Sequence, residues 1–353
     1  MLVHTHEPYN AEPPPHVLGA NGLTPLDAFY VRTHGPVPRI DRSRWRLCVG
    51  GLVDRELELS LGELQAGFAE REITATLQCA GNRRVALMSF RDIPGEAPWR
   101  GGATGTATWR GVSLRDVLQA ARLRQEAQHI ELLGSDVSED ADPPQPFGAS
   151  IARHKALAHE VLLAWEMNGQ PLPDVHGGPV RVVVPGYIGA RSVKWIERLT
   201  ARTDPSENYF QSRSYRLLPA EAEPDKVPSG TGVALGAVAV GSDILSPSDG
   251  ATISGGEIEV VGYAFAGDDR RIVRVDVSCD AGSRWIQAEL LDRASPWAWR
   301  RWRARLTVGR GRHQIVARAW DSAAATQPEE PGHLWNPKGY VNNAWARVTV
   351  TAT

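Results

Sequence analysis

The strongest constraint on this fold is a change of texture near residue 232. Beyond it the chain runs as short stretches of alternating apolar and polar residues: GGEIEVVGYAFAG at 255–267, RIVRVDVSCDAG at 271–282, WAWRRWRARLTVG at 297–309, HQIVARAWDS at 313–322 and AWARVTVTAT at 344–353. A period of two puts successive side chains on opposite faces, so each stretch buries one face only. Several such strands, cut apart by turn residues, predict two packed sheets in an immunoglobulin-like β-sandwich. The stretch before them, PAEAEPDKVPSGTG at 219–232, is rich in proline, glycine and charge and reads as a linker. Trp285, Trp297, Trp299, Trp302, Trp320, Trp335 and Trp345 crowd the same segment and are assigned to core and to a protein–protein interface.

The first two-thirds mixes strand and helix signals. RWRLCVGG around Cys48, REITATLQCA at 71–80 and HIELLGSD at 129–136 are strand-like, the last ending in a turn. SLRDVLQAARL at 113–123 has helical spacing with Ser113 as N-cap. GASIARHKALA at 148–158 and EVLLAWEMNG at 160–169 fit either state. VRVVVPGYIG at 180–189 is continuously apolar, as in a strand buried on both faces. The expected class is therefore α+β followed by a β-sandwich. For 353 residues this gives an N-terminal arm at 1–20, a first domain at 21–225 and the sandwich at 226–353. The arm, stiffened by Pro13, Pro14 and Pro15, reads as a loose extended tail, and His4 and His6 as solvated rather than metal-bound.

A net charge of −2 argues against a nucleic acid or anionic membrane held by bulk charge. No stretch is apolar enough for a transmembrane helix, and the first residues lack an export signal. The expected compartment is the cytoplasm, or the periplasm if a leader has been trimmed. Three cysteines are too few for a disulfide scaffold. Cys48 and Cys279 sit in alternating strand patterns and read as core. Cys79 differs, because TLQCAGNRR at 76–84 carries it from an apolar strand into a loop with two arginines. Adjacent guanidinium groups favour a thiolate, which is both a nucleophile and a metal ligand. Taken alone, the loop is compatible with a structural cysteine, a nucleophile or a ligand.

TLQCAGNRR, FYVRTHGPVP at 29–38, HGGPVRVVVPGYIGARSVKW at 176–195 and WNPKGY at 335–340 occur in the order found in the sulfite oxidase family. EMNGQPLP at 166–173, read as helical, fits as well. The chain resembles that family from about residue 20 to its C-terminus. The resemblance implies a molybdenum–molybdopterin cofactor held in the first domain, and a C-terminal domain that forms a homodimer. Cys79 matches the cysteine whose thiolate binds molybdenum, a role that suits a soft ligand. His34, His176, Arg181, Arg191, Ser192 and Lys194 match cofactor contacts, with Asp136 and Ser150 as further ones; their charge suits a phosphate. Arg32, Arg84 and Trp99 match positions lining the substrate site, and Tyr215 falls where the family places an active-site tyrosine.

The implied reaction is oxygen-atom transfer to sulfite, giving sulfate, with electrons leaving to a separate acceptor such as a c-type cytochrome, since no haem, flavin or NAD module resembles any part of these residues. Arg32, Arg84 and Lys338 would bind the oxyanion. Lys338 stands where sulfite-oxidising members commonly carry arginine; it keeps the charge and loses the planar fork, which leaves the substrate open. The alternatives are another small oxyanion or an S- or N-oxide, as in nitrate reduction, and a non-enzymatic interaction protein built on the sandwich.

Overall fold

A computed structural model describes residues 1–19, 22–291 and 295–353. The arm boundary expected at 20–21 lies outside the described residues. The first two-thirds holds two five-stranded sheets and short helices. One sheet orders Gln170–Pro171, Leu162–Met167, Thr104–Ser113 and Glu70–Gln78, with Arg181–Val183 also pairing Leu162–Met167. The other orders Leu57–Ser60, Arg46–Gly51, Ile196–Arg202, His129–Ser138 and Gln145–Ala152. Its Arg46–Gly51 and Ile196–Arg202 strands run parallel. Among the described residues, no helix is long and apolar enough to cross a membrane.

The β-sandwich is present. Gly241–Ser246, Gly256–Phe265, Arg300–Val308 and Glu289–Leu290 form one sheet; Thr252–Ile253, Ala346–Ala352, Gly311–Asp321, Ile272–Ser278 and Ile286–Gln287 form the other. Burial alternates along Arg300–Val308 as the period-two pattern requires. Trp302 is fully buried in the core between the sheets. Its register partner is Gly262, where a Cβ would lie 2.2 Å from the Trp302 ring, so a glycine is needed for the ring to cross that strand.

Among the described tryptophans, Trp299 and Trp302 meet the core part of the expectation. Trp299 is buried against Tyr263. The backbone at 297–299 ties the sandwich to the first sheet, since Thr76 N donates to Trp297 O at 2.9 Å and Trp299 N to Thr76 Oγ1 at 2.7 Å. Trp285, Trp320 and Trp345 surround the Arg318 guanidinium, with Trp285 at 3.9 Å.

Several local expectations are decided or corrected. Residues 148–158 are strand to Ala152 and then a helix at Arg153–Ala156, and 160–169 contain the strand Leu162–Met167. EMNGQPLP is not helical; it is a hairpin in which Gln170–Pro171 folds back on Leu162–Met167, with Asn168 and Gly169 both at positive φ. The 129–136 strand continues to Ser138. Ser113 occupies the N-cap of helix Leu114–Ala120 without making the side-chain cap, and its buried hydroxyl has no partner among the described residues. The 219–232 stretch is no free linker, because Arg216–Leu217 and Val233–Ala234 pair across it and Arg216 donates to the carbonyls of Gly230, Thr231 and Gly232.

The N-terminal arm is the largest correction. Leu2–Thr5 and Asn10–Glu12 form a hairpin, and Ala11 and Val31 exchange backbone bonds of 3.0 and 2.8 Å. The buried Glu12 carboxylate accepts from Arg100 N and Gly102 N, each at 2.7 Å, and meets His4 Nε2 at 2.8 Å. A buried carboxylate with three partners is an anchor. Glu12→Ala is expected to lower stability by about 3 kcal/mol, read as a fall in the urea midpoint.

Candidate active site

Strand Glu70–Gln78 pairs antiparallel with Thr104–Ser113 and delivers Cys79 at its end. The turn is locked by its backbone: Cys79 N donates to Ala103 O at 2.9 Å and Asn82 N to Cys79 O at 3.0 Å. Gly81 N points at the Cys79 sulfur at 3.4 Å. A Cβ on Gly81 would lie 2.6 Å from the Arg84 guanidinium, so the close approach of that side chain requires glycine here. Of the two arginines in the loop, Arg84 acts on the thiol as expected and burial acts against it. Burial pushes its pKa up, outweighing Arg84, Gly81 N–H and Arg32, which act downward. Arg83 turns away altogether, donating to the carbonyls of Ser242, Ala344 and Trp345.

Cys79 opens into a cleft of about 640 Å³. Of the expected site residues, Arg32, His34, Asp136, His176, Arg181, Ser192, Lys194 and Tyr215 line it. Arg181 is fixed by bonds of 2.9 Å to His176 O and Ser192 O. Lys194 Nζ lies 4.2 Å from the centre of the Trp195 ring. Burial, with Arg181 nearby, pulls the Lys194 pKa well down, and burial pulls Asp136 up to about 7. One carboxylate oxygen of Asp136 is buried without a partner among the described residues. Tyr215 Oη and His34 Nε2 are 2.8 Å apart, a bond whose direction follows the imidazole tautomer. Burial, then Arg32 and Lys194, holds the His34 pKa far down, so the ring is neutral.

His176 is pulled down to about 4, chiefly by burial. A depressed pKa contributes stability that is present above about 6.5 and lost as pH falls toward about 4. Cofactor-free protein is expected to lose stability across that window, and His176→Asn to reduce the slope. Urea midpoints at several pH values for both proteins check this.

A second cleft of about 920 Å³ shares Arg32 and His34 with the first. Arg84 and Lys338 line it, with Glu96 and Tyr340 beside them. The three expected anion-binding cations thus meet in one place, at the edge of the cysteine cleft. Tyr340 stacks on Tyr215 with ring centres 5.5 Å apart.

Three expected residues fall elsewhere. Trp99 is fully buried and lines neither cleft; its ring packs edge-on against His4 at 4.8 Å. Ser150 also lies outside both clefts, its hydroxyl accepting from Ser206 N at 2.9 Å. Arg191 is buried outside both linings, with Nε on Leu235 O and both terminal nitrogens unpartnered among the described residues. Sequence reasoning passed over Tyr30, Asn10 and Glu96. Tyr30 lies inside the quoted FYVRTHGPVP motif; Asn10, which accepts from Arg32 Nη1 at 3.2 Å, was hidden in an arm read as loose. Glu96 carries no sequence signal.

Residues 34–210 match the model of the oxidoreductase molybdopterin binding domain, and 234–353 that of the Mo-co oxidoreductase dimerisation domain. Sulfite oxidase of Gallus gallus is 44% identical over 98% of this chain and 77% of its own. The chain belongs to the sulfite oxidase family. Mitochondrial sulfite oxidase of Homo sapiens is 41% identical over 99% of this chain, which spans 65% of that relative. The crystal structure of the sulfane dehydrogenase SoxCD from Paracoccus pantotrophus superposes with a TM-score of 0.82 at 27% identity, covering 97% of this chain and 84% of that one. Membership makes the chain a molybdopterin-dependent oxidoreductase, and its dimerisation domain supports a homodimer.

The site fits the sulfite oxidase cofactor. Among the described residues no cluster of three or more His, Cys, Asp or Glu could hold a metal ion. A pterin dithiolene would carry a metal on its own sulfur atoms and need only one soft protein ligand, which Cys79 offers to such a carrier. The cleft offers that carrier one soft sulfur, the basic side chains of Arg32, Arg181 and Lys194, and the unpartnered Asp136 oxygen.

Proposed function

We propose that this protein oxidises sulfite to sulfate and passes the electrons to a separate one-electron carrier such as a c-type cytochrome. The observation that carries the reading is the junction of the two clefts, where Arg32 faces both the Cys79 cavity and the cleft lined by Arg84 and Lys338. Residues 21–225 hold the cofactor in this reading, and 226–353 form the dimerisation domain. Cys79 is the protein's ligand to the metal. Arg181, His176, Ser192 and Lys194 bind the pterin, with Asp136 as a hydrogen-bonding partner. When bound, the cofactor supplies oxygen-atom transfer and two-electron chemistry.

The chain's own part is binding and proton control. Arg32, Arg84 and Lys338 hold the oxygens of a small anion so that its sulfur faces the Cys79 cleft. The phenol of Tyr215 is buried and its pKa raised by that burial, so it enters the reaction protonated. Its 2.8 Å hydrogen bond with His34 Nε2 holds the phenol oxygen in place, and a His34 protonated on Nδ1 accepts from the phenol O–H. Molybdenum-replete protein should reduce ferricyanide or cytochrome c in the presence of sulfite. Absence of that turnover, with nitrate reduced by a viologen instead, would overturn the substrate.

A further inference from the structure

One carboxylate stands among the substrate cations, and the reaction above gives it no task. Glu96 lies in the loop between helix Arg84–Met88 and strand Thr104–Ser113. Its Oε2 is 3.0 Å from Arg84 Nη2 and its Oε1 2.9 Å from Lys338 Nζ. Both carboxylate oxygens are thus held by the two cations that should receive a substrate oxyanion. Burial acts against ionisation, yet Arg84, Lys338 and Arg32 together keep the Glu96 carboxyl below its usual range.

The two partners differ in freedom. Arg84 is pinned, with Nε on the carbonyls of Lys338 and Gly339 at 3.1 and 3.3 Å and Nη1 on Ala97 O at 2.9 Å. The Lys338 side chain is 22% exposed against 3% for Arg84, and its ammonium meets Glu96 through one bond of 2.9 Å. Gly95, just before Glu96, has φ +77° and nothing within 4 Å of a built Cβ, so the loop borders open space there.

We propose that Glu96 is a specificity-determining residue: a tethered carboxylate that competes with small oxyanions for Lys338 and Arg84 and is displaced when one binds. Being part of the chain, it is present at high effective concentration and weakens every anion in this cleft. The dianionic product, which would be held most tightly by three bare cations, is expelled as the carboxylate returns. Glu96 thus sacrifices substrate affinity for product release.

The inference takes its substrate from the sulfite reading, and a binding measurement separates the two. Oxidised holoenzyme, wild type and Glu96→Gln, is titrated calorimetrically with sulfate, and sulfite kinetics are run in parallel. Glu96→Gln is expected to tighten the sulfate Kd about tenfold, equivalent to about 1.4 kcal/mol. The KM for sulfite should fall, kcat should fall as sulfate leaves more slowly, and both should depend more steeply on salt. Glu96→Ala should shift the sulfate Kd in the same direction, and it carries the test if the glutamine variant does not accumulate. A sulfate Kd unchanged within twofold, or weaker in either variant, overturns the proposal and leaves Glu96 as a support for Arg84. A wild-type protein that turns over no sulfite sinks only the substrate reading, because the sulfate comparison still decides the role of Glu96.

Discussion

Cys79→Ser is expected to lower kcat for sulfite by about a thousandfold or more, a loss of at least about 4 kcal/mol in transition-state stabilisation. The exchange alters one atom in a buried turn whose backbone bonds to Ala103 and Asn82 do not involve the side chain. A serine hydroxyl can still accept from Gly81 N–H. The fold should survive, with a thermal midpoint within about 2 °C of wild type, since no core volume of consequence is lost. What disappears is the soft anionic donor. A serine hydroxyl ionises far less readily than a thiol and is a poor match for a metal already in sulfur ligation. Turnover, thermal unfolding and molybdenum content measured on one preparation separate these effects. A variant that oxidises sulfite at the wild-type rate removes Cys79 from the chemistry.

Arg32→Met should lower kcat/KM for sulfite by about a hundredfold, chiefly through KM. Arg32 is the cation common to both clefts. It is held by Asn10 Oδ1 at 3.2 Å and by the Thr33 carbonyl, which orient the guanidinium before any anion arrives. Charge-assisted hydrogen bonds to an oxyanion are each worth about 1.5–3 kcal/mol, so losing two at the low end of that range accounts for the expected drop of about 2.7 kcal/mol. Arg32→Lys should recover part of it, because the charge remains while the planar fork is lost. A KM for sulfite that is unmoved in both variants would show that the anion does not sit at this junction.

The parts of the fold legible in the sequence are those written as repetition. Alternation along Arg300–Val308 and Ala346–Ala352 announced the sandwich because burial there follows a period of two. The cysteine loop was legible through its resemblance to a family motif, and Gly81 in it has its physical reason in the close approach of Arg84. What escaped depends on contacts distant in sequence. The arm looked solvated because its anchor, Glu12, is satisfied by the backbone of residues 100 and 102. The thiol looked activated because neighbouring arginines are visible in a sequence, whereas burial and the turning away of Arg83 are not. EMNGQPLP has no strand alternation, and only its pairing with Leu162–Met167 makes it a hairpin. Glu96 sits beside Arg84 because a loop folds back, which no spacing encodes.

The two arginines that follow the cysteine both reach into the last twenty residues of the chain. Arg83 donates to the carbonyls of Ala344 and Trp345, and Arg84 to those of Lys338 and Gly339. A chimaera joined at the 219–232 loop would therefore exchange Lys338 and Tyr340 of the reaction site along with a sandwich. Shuffling the C-terminal modules of two relatives should transplant anion preference with them. In the other direction, a cysteine loop grafted without its own C-terminal segment would present three guanidinium nitrogens without the four carbonyls that receive them. The unit that can be inherited, exchanged or engineered as a piece is thus defined by these carbonyl contacts, and it does not end where the first module does.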